Sequence, residues 1–379
     1  MPSVLVVGSA NFYGRAVMQE LCARRDQSSD TWTIRGVDKV LPELALFPQS
    51  VQQLYTTFDY RMGNLRSAEF LEQAFGDTQW DYVINIAEYK FGQTAGVYEQ
   101  DVRHVSLEVA RLAAKHKARS LVHVSTAHVF KPNSSANTPH GEDDAMEATN
   151  ELAACHVQTE QDIQACEGRP PLVILRPALC YGPGDRQHVV PMLISAQISR
   201  ATNQPMPILW DKDLRVSTVH VSDVARACVQ SAQWIAQQGP KSHFVFNLAD
   251  PGDTTNAKLA HAVAQLFDVK PSFQNSAFNF IAKRLKTSEL TEEVNESLLG
   301  PWMELLAQHG IANSPLSPYI DAEHPYCRLE HCPLAINGSR IENTQGLDFK
   351  YQYSSVSADT LRPMIEEFQQ LGLWPTIPI

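Results

Sequence analysis

The sequence has no surplus of basic residues: 31 Lys and Arg stand against 42 Asp and Glu, a formal net charge of −11. Nucleic acids and acidic membrane surfaces attract basic patches, so neither is expected as a partner, although a local basic pocket is compatible with this balance. No run approaches the roughly 20 apolar residues that a membrane helix needs. The opening "MPSVLVVGSA" lacks a basic n-region, a signal-length apolar core and a small-residue cleavage site. An Arg-rich transit segment is missing too. The expectation is a cytoplasmic protein with no membrane insertion. Cysteine is sparse and odd in number, at Cys22, Cys155, Cys166, Cys180, Cys228, Cys327 and Cys332. That pattern fits reduced thiols better than a disulfide framework. "CRLEHC" brings Cys327, His331 and Cys332 close in sequence, but no second ligand pair has zinc-site spacing. No metal is expected.

What is present is an ordinary core-forming composition, 44% hydrophobic and 19% charged over 379 residues, large enough for one elaborated domain or two lobes. "SVLVVG", "WTIRGVD", "DYVINIA", "SLVHVST" and "PLVILRP" read as buried strands. Segments of helical period separate them, such as Val102, Val105, Val109 and Leu112 on one face. That alternation predicts α/β architecture: a Rossmann-type doubly wound parallel sheet, covered on both sides. The first lobe is expected over residues 1–175, with the chain returning to it at about 216–250. Residues 176–215 and 251–379 are expected to form a smaller, interleaved C-terminal lobe of substrate type.

The first strand-to-helix turn is "VVGSANFYGR". Gly8 and Gly14 bracket it, as in loops that let backbone approach a pyrophosphate and aim a helix N-terminus at it. A three-glycine version would carry glycine where Asn11 stands; Asn tolerates left-handed backbone angles, so the turn is expected to survive with Asn11, Phe12 and Tyr13 against the phosphates. Asp38 ends the second strand, some 24 residues beyond Gly14. An acid there can hydrogen-bond a ribose diol and repel a 2′-phosphate, which favours NAD(H); Lys39 beside it weakens the exclusion, so NADP stays open. "MGNL" offers Asn64 and Leu65 to the adenine.

Taken in order, "VVGSANFYGR", "GVD", "MGNL", "VINIAE", "VHVSTAHVF", "LRPALCYGPGD", "TVHVSDVARA" and "FNLAD" resemble the extended short-chain dehydrogenase/reductase family, of the NAD-dependent epimerase/dehydratase type. The resemblance spans roughly residues 3–275. It implies NAD(H) bound by the first lobe, with Ala87 and Pro177 among its contacts. It also implies dimerisation through a helix pair that includes residues 150–166. Chemistry in such a family needs a tyrosine acid/base, a lysine four residues on that lowers its pKa, and a Ser or Thr hydroxyl. Thr126 matches the hydroxyl, with Ser125 before it. Counting back from Glu160 in "NELAACHVQTEQ", the tyrosine position is Leu152 and the lysine position is His156. Leucine moves no proton, and histidine is short, though able to carry charge near neutral pH.

The leading expectation is therefore a divergent, catalytically silent member. It would bind NAD(H) as a nucleotide-binding module or serve as a structural component with protein partners in a larger assembly. A Leu152→Tyr, His156→Lys double change would then leave folding intact. The alternative is an active oxidoreductase, epimerase or dehydratase on a nucleotide sugar or hydroxysteroid-like alcohol. It would use Thr126 with a relocated base, for which Tyr89, Lys90, His128 and His156 are the candidates. "LRPALCYGPGD" places Arg176, Tyr181 and Asp185 where they can order the lobe interface.

Overall fold

The computed structural model describes residues 2–29, 31–86, 90–131, 133, 138–273, 287–320, 324 and 334–376. The chain opens with β1 (Ser3–Val7), α1 (Phe12–Gln27), β2 (Thr33–Asp38), α2 (Gln49–Leu54) and β3 (Asp59–Met62). It continues through α3 (Ala68–Phe75), β4 (Tyr82–Asn85), α4 (Ala95–Tyr98), α5 (Val105–Lys115), β5 (Ser120–Val124), α6 (Glu151–Ala165) and β6 (Leu172–Pro177). After these come β7 (Leu179–Tyr181), α7 (Val190–Thr202), β8 (Met206–Ile208), β9 (Thr218–His220), α8 (Val221–Ile235), β10 (His243–Leu248), α9 (Asn256–Phe267) and β11 (Pro271–Phe273). Two further α-helices, Thr287–Gln308 and Ala358–Gln370, follow, and short 3-10 or π turns lie at Pro42–Leu44, Glu99–His104, Ala127–Val129 and Ile341–Asn343.

Seven strands form one parallel sheet in the order β10-β6-β5-β4-β1-β2-β3. Alternation along each strand serves two cores. Val4, Val6, Ile84, Val122 and Val124 face Val17, Met18 and Leu21 of α1 and Val224 and Cys228 of α8. Leu5, Val7, Val83 and Leu121 face Leu71 of α3, Val109 and Leu112 of α5 and Ile163 of α6. The chain runs outward from β1 through β2 and β3, then crosses to β4 on the other side of β1. That reversal opens a crevice at the carboxyl ends of β1 and β4, where open α/β sheets bind ligands.

The second lobe packs α7 and α9 against Trp302, Leu361, Ile365, Phe368 and Trp374. The chain comes back to the first lobe in the 216–250 region, where α8 covers the sheet and β10 pairs with β6 along its whole length. It does so again later, within the region read from sequence as the second lobe alone. Ile341, Leu347 and Phe349 are buried in the core beside α1 and α8, because they are apolar and α8 leaves a face open to them. Among the described residues no helix is long and apolar enough to cross a membrane. Among them, too, no group of three or more His, Cys, Asp or Glu side chains could hold a metal ion. Cys327, His331 and Cys332 lie outside the described residues.

Candidate functional site

The β1–α1 turn depends on both glycines. Gly8 has φ +82, and a Cβ there would lie 2.0 Å from the Ile86 carbonyl oxygen. At Gly14 a Cβ would lie 1.9 Å from the Gly8 carbonyl oxygen. The backbone is thus folded back on itself at two contacts that no side chain can enter. Asn11 behaves differently from the sequence expectation. Its φ of −79 and ψ of −179 are extended, not left-handed. It is the N-cap of α1: Oδ1 accepts from the Gly14 amide at 2.8 Å, and Nδ2 donates to the Ile86 carbonyl at 3.1 Å. One side chain therefore caps the helix and bridges the crevice between β1 and β4. Losing such a cap costs about 1 kcal/mol; Asn11→Ala is expected to lower the unfolding free energy by about that much in a urea titration, and Asn11→Gly by a few tenths.

Asp38 is buried at the end of β2. Its Oδ2 accepts from the Ala10 amide at 2.8 Å and its Oδ1 from the Lys39 amide at 2.6 Å. It holds the turn in shape. Lys39 is exposed. Tyr55 reinforces the turn from below, donating to the Ser9 carbonyl at 2.5 Å. Burial pushes its hydroxyl pKa well up, so it stays a donor.

A cavity of about 490 Å³ opens beside this turn, lined by Ala10, Asn11, Phe12, Tyr13 and Arg15, by Val40, Leu44, Ala45 and Phe47, by Lys90, and by residues 184–188 and Pro315 of the second lobe. Of the expected cofactor contacts it brings together Asn11, Phe12 and Tyr13. Asn64 is exposed and accepts from the Arg66 amide at 3.1 Å. Leu65 is buried in the core with Leu5, Val7 and Val37, an apolar side chain drawn to the sheet face, and neither residue lines the cavity. Pro177 ends β6 beside Leu248 and does not line the cavity. Ala87 and Tyr89 lie outside the described residues.

The cavity also has members that the sequence did not single out for it. Arg15 is buried and forms a bidentate pair with Glu367 of the C-terminal helix, at 2.7 and 2.5 Å. Lys90 lines the cavity as an exposed cation, where sequence had offered it only as a stray base. Asp185 is fully buried. It accepts from the amides of Gln187, His188 and Val189 at 3.0, 2.8 and 2.8 Å, and from His188 Nδ1 at 2.9 Å. Burial alone would raise its pKa, but His188 and these amides hold it below the usual carboxylate range. Asp185 thus shapes its own loop, which the cavity places against the first lobe.

The proton-transfer positions lie on α6. Asn150 caps this helix through the Ala153 amide at 2.7 Å. Its rotation is set by Glu160, fully buried, which takes Arg176 Nη2 at 2.6 Å and Nε at 3.0 Å. Ser125 donates to the same carboxylate at 2.5 Å. Arg176 also lies over the Phe130 ring, 5.1 Å from its centroid. It therefore ties β6 to α6 instead of ordering the lobe interface with Tyr181 and Asp185. Residues four and eight before Glu160 share its face, and these are His156, fully buried, and Leu152, 3% exposed. Burial first, and then nearby His123, push the His156 imidazole pKa down to about 3. The expectation that it carries charge near neutral pH is corrected: it is neutral there. His123 on β5 pairs with Asn85 on β4 at 3.1 Å and is pushed down to about 4 by burial. Thr126, also buried, accepts from the His128 amide at 3.2 Å and caps a short turn, Ala127–Val129. His128 is half-buried.

Residues 4–249 match the NAD dependent epimerase/dehydratase family. The chain belongs to that family. It is 25% identical over 249 residues to the decarboxylating sterol-4-alpha-carboxylate 3-dehydrogenase of Candida albicans, covering 64% of this chain and 67% of that protein. Among solved structures it is similar in fold to the UDP-glucuronic acid 4-epimerase of Bacillus cereus in complex with UDP-glucuronic acid and NAD. That likeness has a TM-score of 0.66 at 15% identity, over 97% of this chain and 99% of the other. The UDP-glucose 4-epimerase of Thermus thermophilus, complexed with NAD, has a TM-score of 0.56 at 19% identity, over 72% and 85%. As an epimerase/dehydratase family member, the chain keeps the tight glycine turn and the acid at the end of β2. At the tyrosine and lysine positions that the resemblance implies, it presents an aliphatic side chain and a neutral imidazole, both inside the protein.

Proposed function

We propose that this chain binds NAD(H) in the cleft between the β1–α1 turn and the 184–188 loop, and that it carries no proton relay of its own. The observation that carries this reading is the burial of Leu152 and His156 on the Glu160 face of α6. The first lobe suits the dinucleotide: Gly8 and Gly14 permit a tight turn that no Cβ could enter, and the cavity lies at the N-terminus of a sixteen-residue helix, where anions are favoured. Asn11, Phe12, Tyr13 and Lys90 would hold the phosphates, and Asp38 would meet the adenosine ribose. When bound, the dinucleotide supplies a hydride acceptor at its nicotinamide. The chain's residues at the implied acid/base positions could not take the accompanying proton, since Leu152 has no titratable group and His156 is shut away from solvent. The protein then acts as a nucleotide-binding module or scaffold component, with protein partners or a second copy docked on its surface.

Similarity to a sterol-4-alpha-carboxylate 3-dehydrogenase favours a second reading, an active oxidoreductase on a hydroxysteroid-like alcohol. It would rely on Thr126 and half-buried His128. The two readings part in one experiment. Calorimetry should detect NAD binding, while NADH formation from a 3-hydroxysterol 4-carboxylate, or epimerisation of UDP-glucose, should stay at background. Loss of a positioned acid/base costs on the order of 10²–10⁴ in rate. Steady turnover of either compound would overturn the silent reading; turnover abolished by His128→Ala with NAD binding kept would establish the second.

A further inference from the structure

We propose that Glu367 sets the anion affinity of the cleft: its carboxylate offsets the charge of Arg15 in the cavity wall, and so holds nucleotide binding below what that cation would otherwise supply. The inference rests on the proposed function only in placing a phosphate in this cavity. Arg15 follows Gly14 directly, in the first turn of α1, whose opening residues line the cavity. A cation in that turn is suited to a phosphate, since arginine meets its oxygens with a planar fork of donors. The guanidinium reaches the wall. A Cβ added at Gly184 would lie 3.0 Å from Nη1 and 3.6 Å from Cζ, and Cζ lies 5.6 Å from the centroid of the Phe47 ring. Gly184 and Phe47 both line the cavity.

The fork is already taken. Nη1 and Nη2 each donate to one oxygen of Glu367, at 2.7 and 2.5 Å, and the two side chains are 4% and 9% exposed. Glu367 does not itself line the cavity. It stands on the C-terminal helix, which Leu361, Ile365 and Phe368 anchor in the second-lobe core. A buried ion pair is a weak source of stability, because desolvation of both charges offsets most of their attraction. Its consequence for the cleft is electrostatic. Arginine does not lose its proton in a protein, so only a carboxylate beside it lowers the charge that an incoming anion meets. Lys90, on the same cavity, is exposed, and solvent screens it. Arg15 is shielded from solvent, so its charge acts with much longer reach once uncovered.

Charge removal at the two positions tests this, by calorimetric titration of the full chain with NAD and separately with inorganic pyrophosphate. Glu367→Gln should bind NAD about tenfold more tightly than wild type at low salt, and pyrophosphate, which carries more charge, by a larger factor. The gain should shrink as NaCl rises from about 50 to about 500 mM. Arg15→Gln, which uncovers the carboxylate instead, should bind both about tenfold more weakly. The double variant should return to within about threefold of wild type. A merely structural role predicts weaker binding in all three, with no dependence on ligand charge or salt. Glu367→Gln that binds no more tightly than wild type would overturn the inference while leaving NAD binding intact. So would a double variant that stays about tenfold weak. That variant holds no unpaired buried charge at the pair, so it decides the matter even if a single variant folds poorly. Failure of the wild type to bind either compound would overturn this inference and the proposed function together.

Discussion

Lowering the pH from 7.5 to about 4.5 is expected to cut the stability of this protein by several kcal/mol, and so to bring it close to unfolding at room temperature. The cause is a set of buried imidazoles. Burial pushes His123, His220 and His324 down to about 4 and His156 to about 3, from an ordinary value of 6.5. His123 and His156 sit between the sheet and α6, and His220 is stacked on Tyr353 with centroids 3.7 Å apart. The sign follows from proton counts. Near pH 5 the unfolded chain protonates all four imidazoles and the folded chain does not, so stability present above 6.5 is lost as pH falls toward the folded values. At about 1.4 kcal/mol per pH unit, each imidazole contributes on the order of 3 kcal/mol by the end of that window. Asp250 works the other way: burial raises it to about 7, so its folded form gains a proton between pH 7 and 4 and offsets on the order of 4 kcal/mol. Buried Glu142 and Asp223 are also raised, by burial, and blunt the effect further. Four imidazoles still outweigh these acids, and the total is large against the 5–15 kcal/mol typical of a folded protein. Scanning calorimetry from pH 7.5 to 4.5 checks this: Tm should fall by ten degrees or more, and His156→Leu should remove part of the slope. A constant Tm would show that these rings are solvated.

Much of the first lobe was legible because its constraints are local. A strand ending at Gly8, helical spacing of Val102, Val105, Val109 and Leu112, and an acid closing the second strand are each dictated by backbone geometry within a few residues. Asn11 was legible as a departure but not in its consequence. Tolerance of left-handed angles suggested one conformation, whereas a cap on the Gly14 amide required another, and the cap satisfied two backbone groups at once. Arg15 could not be assigned from sequence, since its partner Glu367 lies 352 positions away. The Asp185 and His188 pair is short-range, but the packing of Phe12 and Phe91 around the ring joins residues far apart in the chain. Leu65 shows the opposite error: a motif suggested ligand contact where an apolar side chain had a core to join. The buried Glu160–Arg176 pair, joining α6 to β6, could not be assigned from sequence either. What sequence could not show was that the whole Glu160 face is sealed.

That sealing changes what restoring the family pair should do. From sequence, Leu152→Tyr with His156→Lys was expected to leave folding intact; burial predicts a loss of about 5–7 kcal/mol at pH 7. Position 156 is fully buried and its titratable neighbour is a neutral imidazole, His123. The nearest carboxylate on that face, Glu160, is already held by Arg176 and Ser125. A lysine there would be desolvated without a counter-charge, and such lysines drop to pKa values of about 5–6. Being pulled from about 10.4 past 7 costs on the order of 4 kcal/mol, to which an oversized ring at position 152 adds about 1–3 when made alone. A neutral lysine would also fail in its purpose, because a cation is what lowers a tyrosine pKa. Denaturant unfolding of the two single variants and the double, beside an NADH assay with a sterol carboxylate, separates the possibilities. The double variant should unfold at distinctly lower denaturant and remain inactive. Wild-type stability together with new turnover would mean that α6 opens to the cleft, and that two side chains alone stand between this chain and catalysis.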